Sequence, residues 1–153
     1  MVQRIALAIG GTLVAPTVLL ESCSFDPGTS TAGLERLAIL DAIAETIIPR
    51  TTTAGARDAR IGAFIDVMIR DCYYPDMQEK LNAGMQEIAV EGKRSLGVAF
   101  EEATQMDREA FLGVYDAAAA SDGSHFFRTL KELTMLGYFT SEEAAASVDA
   151  PVM

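Results

Sequence analysis

The sequence predicts an all-α protein, a helical bundle of about five amphipathic helices behind an N-terminal signal segment. Three observations predict it. Ala, Leu, Ile and Met supply most of the apolar side chains, and these are helix formers; aromatics are sparse and Trp is absent. Apolar residues recur in steps of three and four through most of the chain. No alternating strand pair, Asn-Gly hairpin turn or internal repeat interrupts that rhythm. At 153 residues, 50% hydrophobic, the chain is long enough for one domain with a real core and too short for two.

Residues 1–22 read as an export signal. Arg4 precedes an uncharged run from Ile5 to Leu20. That run is short for a membrane span and is weakened as a helix by Gly10, Gly11 and Pro16. The alternative is a buried N-terminal helix. The mild hydrophobicity is that of twin-arginine signals, but only Gln3-Arg4 stands where two arginines belong, which leaves the route open. Leu20-Glu21-Ser22-Cys23 resembles a bacterial lipoprotein cleavage box, with Glu21 a poor fit, and makes Cys23 a lipidation candidate. The alternatives are an unmodified thiol or a disulfide to Cys72 in an oxidising compartment. Residues 23–33, rich in Ser, Thr, Gly and Pro, read as a flexible tether.

The body, 34–142, reads as consecutive helices. Over Leu34–Ile48, Leu37, Leu40, Ile43, Ala44, Ile47 and Ile48 share one face, and Pro49 stops the helix. A loop follows to Ala56. Asp58 is the expected cap of a second helix with Ile61, Phe64, Ile65, Met68, Ile69 and Cys72 inward, so Cys72 is expected as a packed core thiol. Pro75 opens a third helix with Met77, Leu81, Met85, Ile88 and Ala89 inward, and Gly92 is its expected stop. Thr104-Gln-Met-Asp107 is a capping-box pattern for a fourth helix with Ala110, Phe111, Val114, Tyr115 and Ala118 inward. Ser124 is the expected cap of a fifth, with Phe126, Phe127, Leu130, Leu133 and Thr134 inward and Gly137 at its end.

The net charge of −10 argues against nucleic acid as a partner, since a binder must neutralise phosphates. Residue types for chemistry are few. One histidine, His125, cannot build the Glu-x-x-His pairs of a di-iron bundle, and with two cysteines it cannot supply a four-ligand zinc site. Beside Phe126 and Phe127 it reads as a capping or packed residue. No phosphate loop or dinucleotide fingerprint is present. The carboxylates lie on polar helix faces and read as solvated surface. No catalytic, cofactor-binding or metal residues are therefore expected.

Three stretches, in order and spacing, closely resemble the gluconate 2-dehydrogenase subunit 3 family. They are Ile43 to Thr51 with Thr53, Gly55 and Ala56; Phe64 to Tyr73; and Phe126 to Glu142. The resemblance runs from about Leu34 to Glu142. It implies a small accessory subunit of a membrane-associated, flavin-dependent sugar or sugar-acid dehydrogenase. On that basis the chain holds no cofactor, FAD sits in a large flavoprotein subunit, and haem c sits in a cytochrome c subunit where one exists. The small subunit assists export, maturation or anchoring of the flavoprotein. The expected location is the periplasm, with membrane attachment through lipidated Cys23 or the signal segment.

Pro49, Arg50 and Thr51 in the first loop, and Tyr138 and Phe139 after Gly137, are the candidate partner-docking residues. The two aromatics are expected either to project as anchors or to fold back on their own bundle. Relatives continue past this point into a Pro- and Gly-rich tail that often holds a Cys; residues 143–153 differ, and read as a truncated or altered tail. A stand-alone exported helical lipoprotein or binding module is the alternative to the subunit reading. A small enzyme working through surface carboxylates is a more remote one.

Overall fold

A computed structural model describes residues 31–148, with side-chain surroundings from 32 to 146. The signal segment, Cys23, most of the tether and residues 149–153 lie outside the described residues. Within them the chain is all-helical: α1 (Thr31–Ile47), α2 (Ile61–Cys72), α3 (Pro75–Leu96), a 3-10 turn (Phe100–Glu102), α4 (Gln105–Ser121), α5 (Phe126–Phe139) and α6 (Glu142–Val148).

α1 is the helix on which the others assemble, touching α2, α3, α4, α5 and the 3-10 turn. Leu40, Ala42, Ile43 and Ala44 have no exposed surface, and Ile39 and Thr46 are buried too. A helix enclosed on several sides needs more than one apolar stripe. The Thr46 hydroxyl fits this setting by donating to the Ala42 carbonyl at 2.6 Å. The helix begins at Thr31, so the last residues of the expected tether are helical. α2 lies closest to α1, and Gly62 makes this possible: a β-carbon there would overlap the Asp41 carboxylate.

Asp58 does not cap α2. The N-cap is Arg60, in the left-handed region at φ 53°, with no side-chain cap. Asp58 is engaged instead by Arg50 and the Gly55 N–H. Cys72 is exposed rather than packed. Core contact along α2 ends at Ile69, and Tyr73, in extended conformation, turns back against the core in place of the thiol. The Gln78 amide then donates to the carbonyls of Arg70 and Tyr73 at 3.0 and 2.8 Å, satisfying groups that the end of α2 leaves open.

Pro75 opens α3 as expected. Gly92 does not stop it: the helix runs to Leu96, and Gly97 ends it at φ 77° with its N–H on the Lys93 carbonyl. Gly92 is buried within the helix because Phe100 packs on it, with the Phe100 β-carbon 3.0 Å from where a β-carbon of residue 92 would stand. Half of the expected capping box forms at α4. Thr104 Oγ1 accepts the Asp107 N–H at 3.2 Å, while the Asp107 carboxylate takes the Thr104 hydroxyl rather than its amide.

The inward face of α4 is not the expected one. Arg108, Leu112 and Ala119 are buried, Phe111 and Tyr115 half-buried, and Ala110, Val114 and Ala118 exposed. A buried arginine inside the stripe hides its phase from a hydrophobicity reading.

α5 buries Phe126, Phe127, Leu130, Leu133 and Thr134 as expected. His125, not Ser124, is its cap, with Nδ1 accepting the Phe127 N–H at 3.3 Å. Ser124 is held by Asp122, whose carboxylate accepts both its N–H and its hydroxyl. Gly137 lies inside α5, where the Phe64 ring comes to 2.6 Å of a would-be β-carbon, and the helix continues to Phe139. α6 then occupies part of the expected tail; Ser141 Oγ accepts the Ala144 N–H at 3.2 Å, and Ala144 is buried in the core cluster.

Candidate partner-docking face

The loop between α1 and α2 is short of regular structure but not of bonds. Glu45, on the last turns of α1, reaches back over it: Oε1 accepts the Arg50 N–H at 2.9 Å and Oε2 the Arg57 N–H at 2.8 Å. The Asp58 carboxylate accepts Arg50 Nε–H at 2.7 Å and the Gly55 N–H at 2.9 Å. Ala56 donates to the Ile48 carbonyl at 3.0 Å, closing the base. Gly55 sits against this lattice so closely that a β-carbon would stand 2.6 Å from both the Arg50 nitrogen and the Glu45 carboxylate. Loop amides that helix or sheet would otherwise satisfy are thus taken by two carboxylates.

What remains at the surface is a tip of three threonines, Thr51 to Thr53, beside exposed Arg50, with Pro49 half-buried beneath. Arg57 and Arg60 are exposed on the same loop. Three arginines against one aspartate make this segment locally basic on a chain of net charge −10.

The structure brings the two groups of candidate residues together. Tyr138 is 7% exposed, and its hydroxyl donates to the Ala54 carbonyl at 2.6 Å, bolting the end of α5 to the loop. Phe139 is 67% exposed and stands edge-on to the Tyr138 ring, centroids 5.6 Å apart. The two expectations for the aromatic pair are therefore divided between its members: Tyr138 folds back and Phe139 projects. Leu136 and Met135, one turn earlier, are also exposed. The result is an apolar ring beside a basic, hydroxyl-bearing loop whose backbone is already fixed. Glu45 and Asp58, which hold the loop, look from sequence like ordinary polar-face residues. A carboxylate near a helix end followed by a Pro- and Gly-containing loop is the available signal.

The Asp58 carboxyl is held below its ordinary 3.8, first by the hydrogen bond from Arg50 and then by the Gly55 N–H. A depressed folded-state pKa contributes stability above the unfolded value and loses it as pH falls through the folded one. The expected outcome is a loop whose Gly55 amide resonance is constant near neutrality and moves only as pH drops below 3.8. A Gly55 shift that titrates near pH 6 would contradict the assignment.

Elsewhere, the Tyr115 phenol is pushed up to about 12 by burial and by Glu87 and Glu91, so it is a proton donor at ordinary pH. Among the described residues no three His, Cys, Asp or Glu side chains gather as metal ligands, and no helix is long and apolar enough to cross a membrane. Every buried side-chain nitrogen or oxygen among them has a hydrogen-bond partner. Cys72 lies at the exposed end of α2; Cys23 is outside the described residues.

Of known families, the one described as gluconate 2-dehydrogenase subunit 3 matches residues 35–150. No curated protein and no solved structure matches the chain.

Proposed function

The chain belongs to the gluconate 2-dehydrogenase subunit 3 family, and from that premise we propose that it is a non-catalytic small subunit of an exported, flavin-dependent dehydrogenase. The family description places the chain among the subunits of a dehydrogenase complex. In the proposal a large flavoprotein subunit holds FAD and oxidises a sugar or sugar acid, and a cytochrome c subunit, where present, takes the electrons. This chain assists the flavoprotein's export, maturation or anchoring in the periplasm, with Cys23 as the point of lipid attachment.

The observation that carries the reading is the Phe139 ring standing exposed beside a loop whose backbone is already ordered. Ordering a loop on binding costs free energy, and a loop tied by Glu45, Asp58 and Tyr138 has met that cost in the free subunit. An exposed aromatic next to an arginine-bearing loop is the composition of an interface anchor. Phe139, Arg50 and Thr51 present the contact surface; Pro49 and Tyr138 position it.

Phe139→Ala separates docking from folding, because the ring is exposed whereas Tyr138 is part of the core. The variant is expected to keep the helical circular dichroism and melting temperature of the parent. It should recover about tenfold less flavin-containing protein when the tagged chain is isolated from its native envelope. Full recovery of the flavoprotein by a normally folded variant would remove this face from the proposal.

A further inference from the structure

α4 carries a second apolar face that its own core leaves uncovered. Ala110, Gly113, Val114 and Ala117 are exposed, Val114 to 71%. α4 packs on α1 and α5 but is not laid along α3. A groove of about 590 Å³ opens between α3 and α4, with Phe111, Val114 and Tyr115 on one wall, Glu87 and Glu91 on the other, and His125 reaching it from the cap of α5. The aromatic side is fixed in advance. Phe111 sits tilted between Phe100 and Tyr115 at centroid distances of 5.7 and 5.4 Å, and Tyr115 stands edge-on to Phe126 at 5.8 Å.

We propose that this groove docks an amphipathic helix of a second protein, its small apolar face against Phe111 and Val114 and its Lys or Arg flank facing Glu87 and Glu91. Two features select that occupant. The groove runs between two helices and is lined on one side by apolar groups, the arrangement that takes an amphipathic helix by anchors one turn apart. The polar wall is acidic: Glu91 pairs with Arg94, and no Lys or Arg lies within ion-pair distance of Glu87 among the described residues, so a cationic flank finds an uncompensated partner.

This surface is independent of the Phe139 face. His125 caps the start of α5 and Phe139 ends it, so the two lie about 20 Å apart along a 14-residue helix. A chain with both can hold two protein elements at once, and each then raises the effective concentration of the other.

The test is a titration of the full ¹⁵N-labelled chain with a designed peptide helix, Leu and Ala on one face and Lys flanking it. Controls are the same composition scrambled, and the same helix with Glu in place of Lys. Expected are amide shifts gathered at Val114, Tyr115 and Glu87, and affinity about tenfold lower for Val114→Asp and for the charge reversal of exposed Glu87, Glu87→Lys. Phe139→Ala should bind as the parent does. The proposal is overturned by shifts that map elsewhere, by absence of binding, or by equal binding of the scrambled peptide. It is also overturned if the parent sediments as a dimer that Val114→Asp converts to a monomer, since a second copy then covers the face.

Discussion

Arg108→Ala is expected to lower stability by about 3 kcal/mol, seen as a fall of roughly 10 °C in melting temperature. Arg108 is 8% exposed and, among the described residues, no carboxylate lies within ion-pair distance of it. Its guanidinium is spent on neutral acceptors instead. Nε donates to Thr46 Oγ1 at 3.0 Å, Nη1 to the Ala103 carbonyl at 3.1 Å and the Glu101 carbonyl at 3.4 Å, and Nη2 to Gln105 Oε1 at 2.9 Å. One side chain thus ties the end of α1 to the 3-10 turn and the first turn of α4. Burial, and behind it the nearby Arg57, pushes its pKa below the ordinary arginine value, the direction expected of a cation without a counter-ion. Truncation leaves those carbonyls without donors, and an unsatisfied buried acceptor costs more than the bond was worth in net. Lysine keeps the charge but not the fork, and is expected to recover less than half of the loss. Methionine is the deciding variant. If Arg108→Met melts with the parent, packing rather than hydrogen bonding is what Arg108 supplies, and the argument fails.

Arg108 also shows why the fold was readable in the sequence while parts of its packing were not. The helices on either side of the first loop and the inward face of α5 follow from spacing alone, because Leu40, Ile43, Ile65, Ile69, Phe127 and Leu130 are apolar residues on apolar faces. α4 breaks that rule. Its inner face contains an arginine and its outer face contains Val114, so a rhythm of hydrophobicity selects the outer stripe. The hydrogen bond to Thr46, 62 residues away, joins three nearer acceptors to decide the matter, and no local pattern contains it. The surroundings of the candidate docking residues were legible in the same partial way. The loop and the aromatic pair stand out as residues without a helical reason to be there. That Tyr138 reaches Ala54, 84 residues away, and leaves Phe139 alone at the surface is a tertiary fact. Cys72 errs for a related reason: it continues the α2 stripe, but the core against which that stripe packs ends one turn before it.

Glycine gave the most consistent misreading, and it yields the second large effect. Gly92 and Gly137 have the position of helix stops, yet both lie within helices, pressed against Phe100 and Phe64. Gly84, in the middle of α3, is more tightly approached than either, because a β-carbon would stand 2.2 Å from the Phe126 ring. That ring cannot easily retreat. The His125 imidazole stacks on it at 4.7 Å, Tyr115 meets it edge-on at 5.8 Å, and it is buried. In an unconstrained helix Gly→Ala stabilises by about 1 kcal/mol. Here overpacking of about 1–3 kcal/mol opposes it, so Gly84→Ala is expected to destabilise slightly and Gly84→Val by about 3 kcal/mol or more. The cause can be isolated by pairing each with Phe126→Leu, which removes the ring edge at a cost of its own. If the close approach is what matters, Gly84→Val/Phe126→Leu will be more stable than the sum of its parts by at least about 1 kcal/mol in urea unfolding. Strict additivity would mean that valine disturbs α3 through its own backbone preference and that α5 does not depend on the missing side chain. Coupling would identify Gly84 as the residue that sets the distance between α3 and α5. That distance also positions Tyr115 and His125 on the α3–α4 groove, so a variant that pushes Phe126 outward should weaken peptide binding there while leaving the Phe139 face intact.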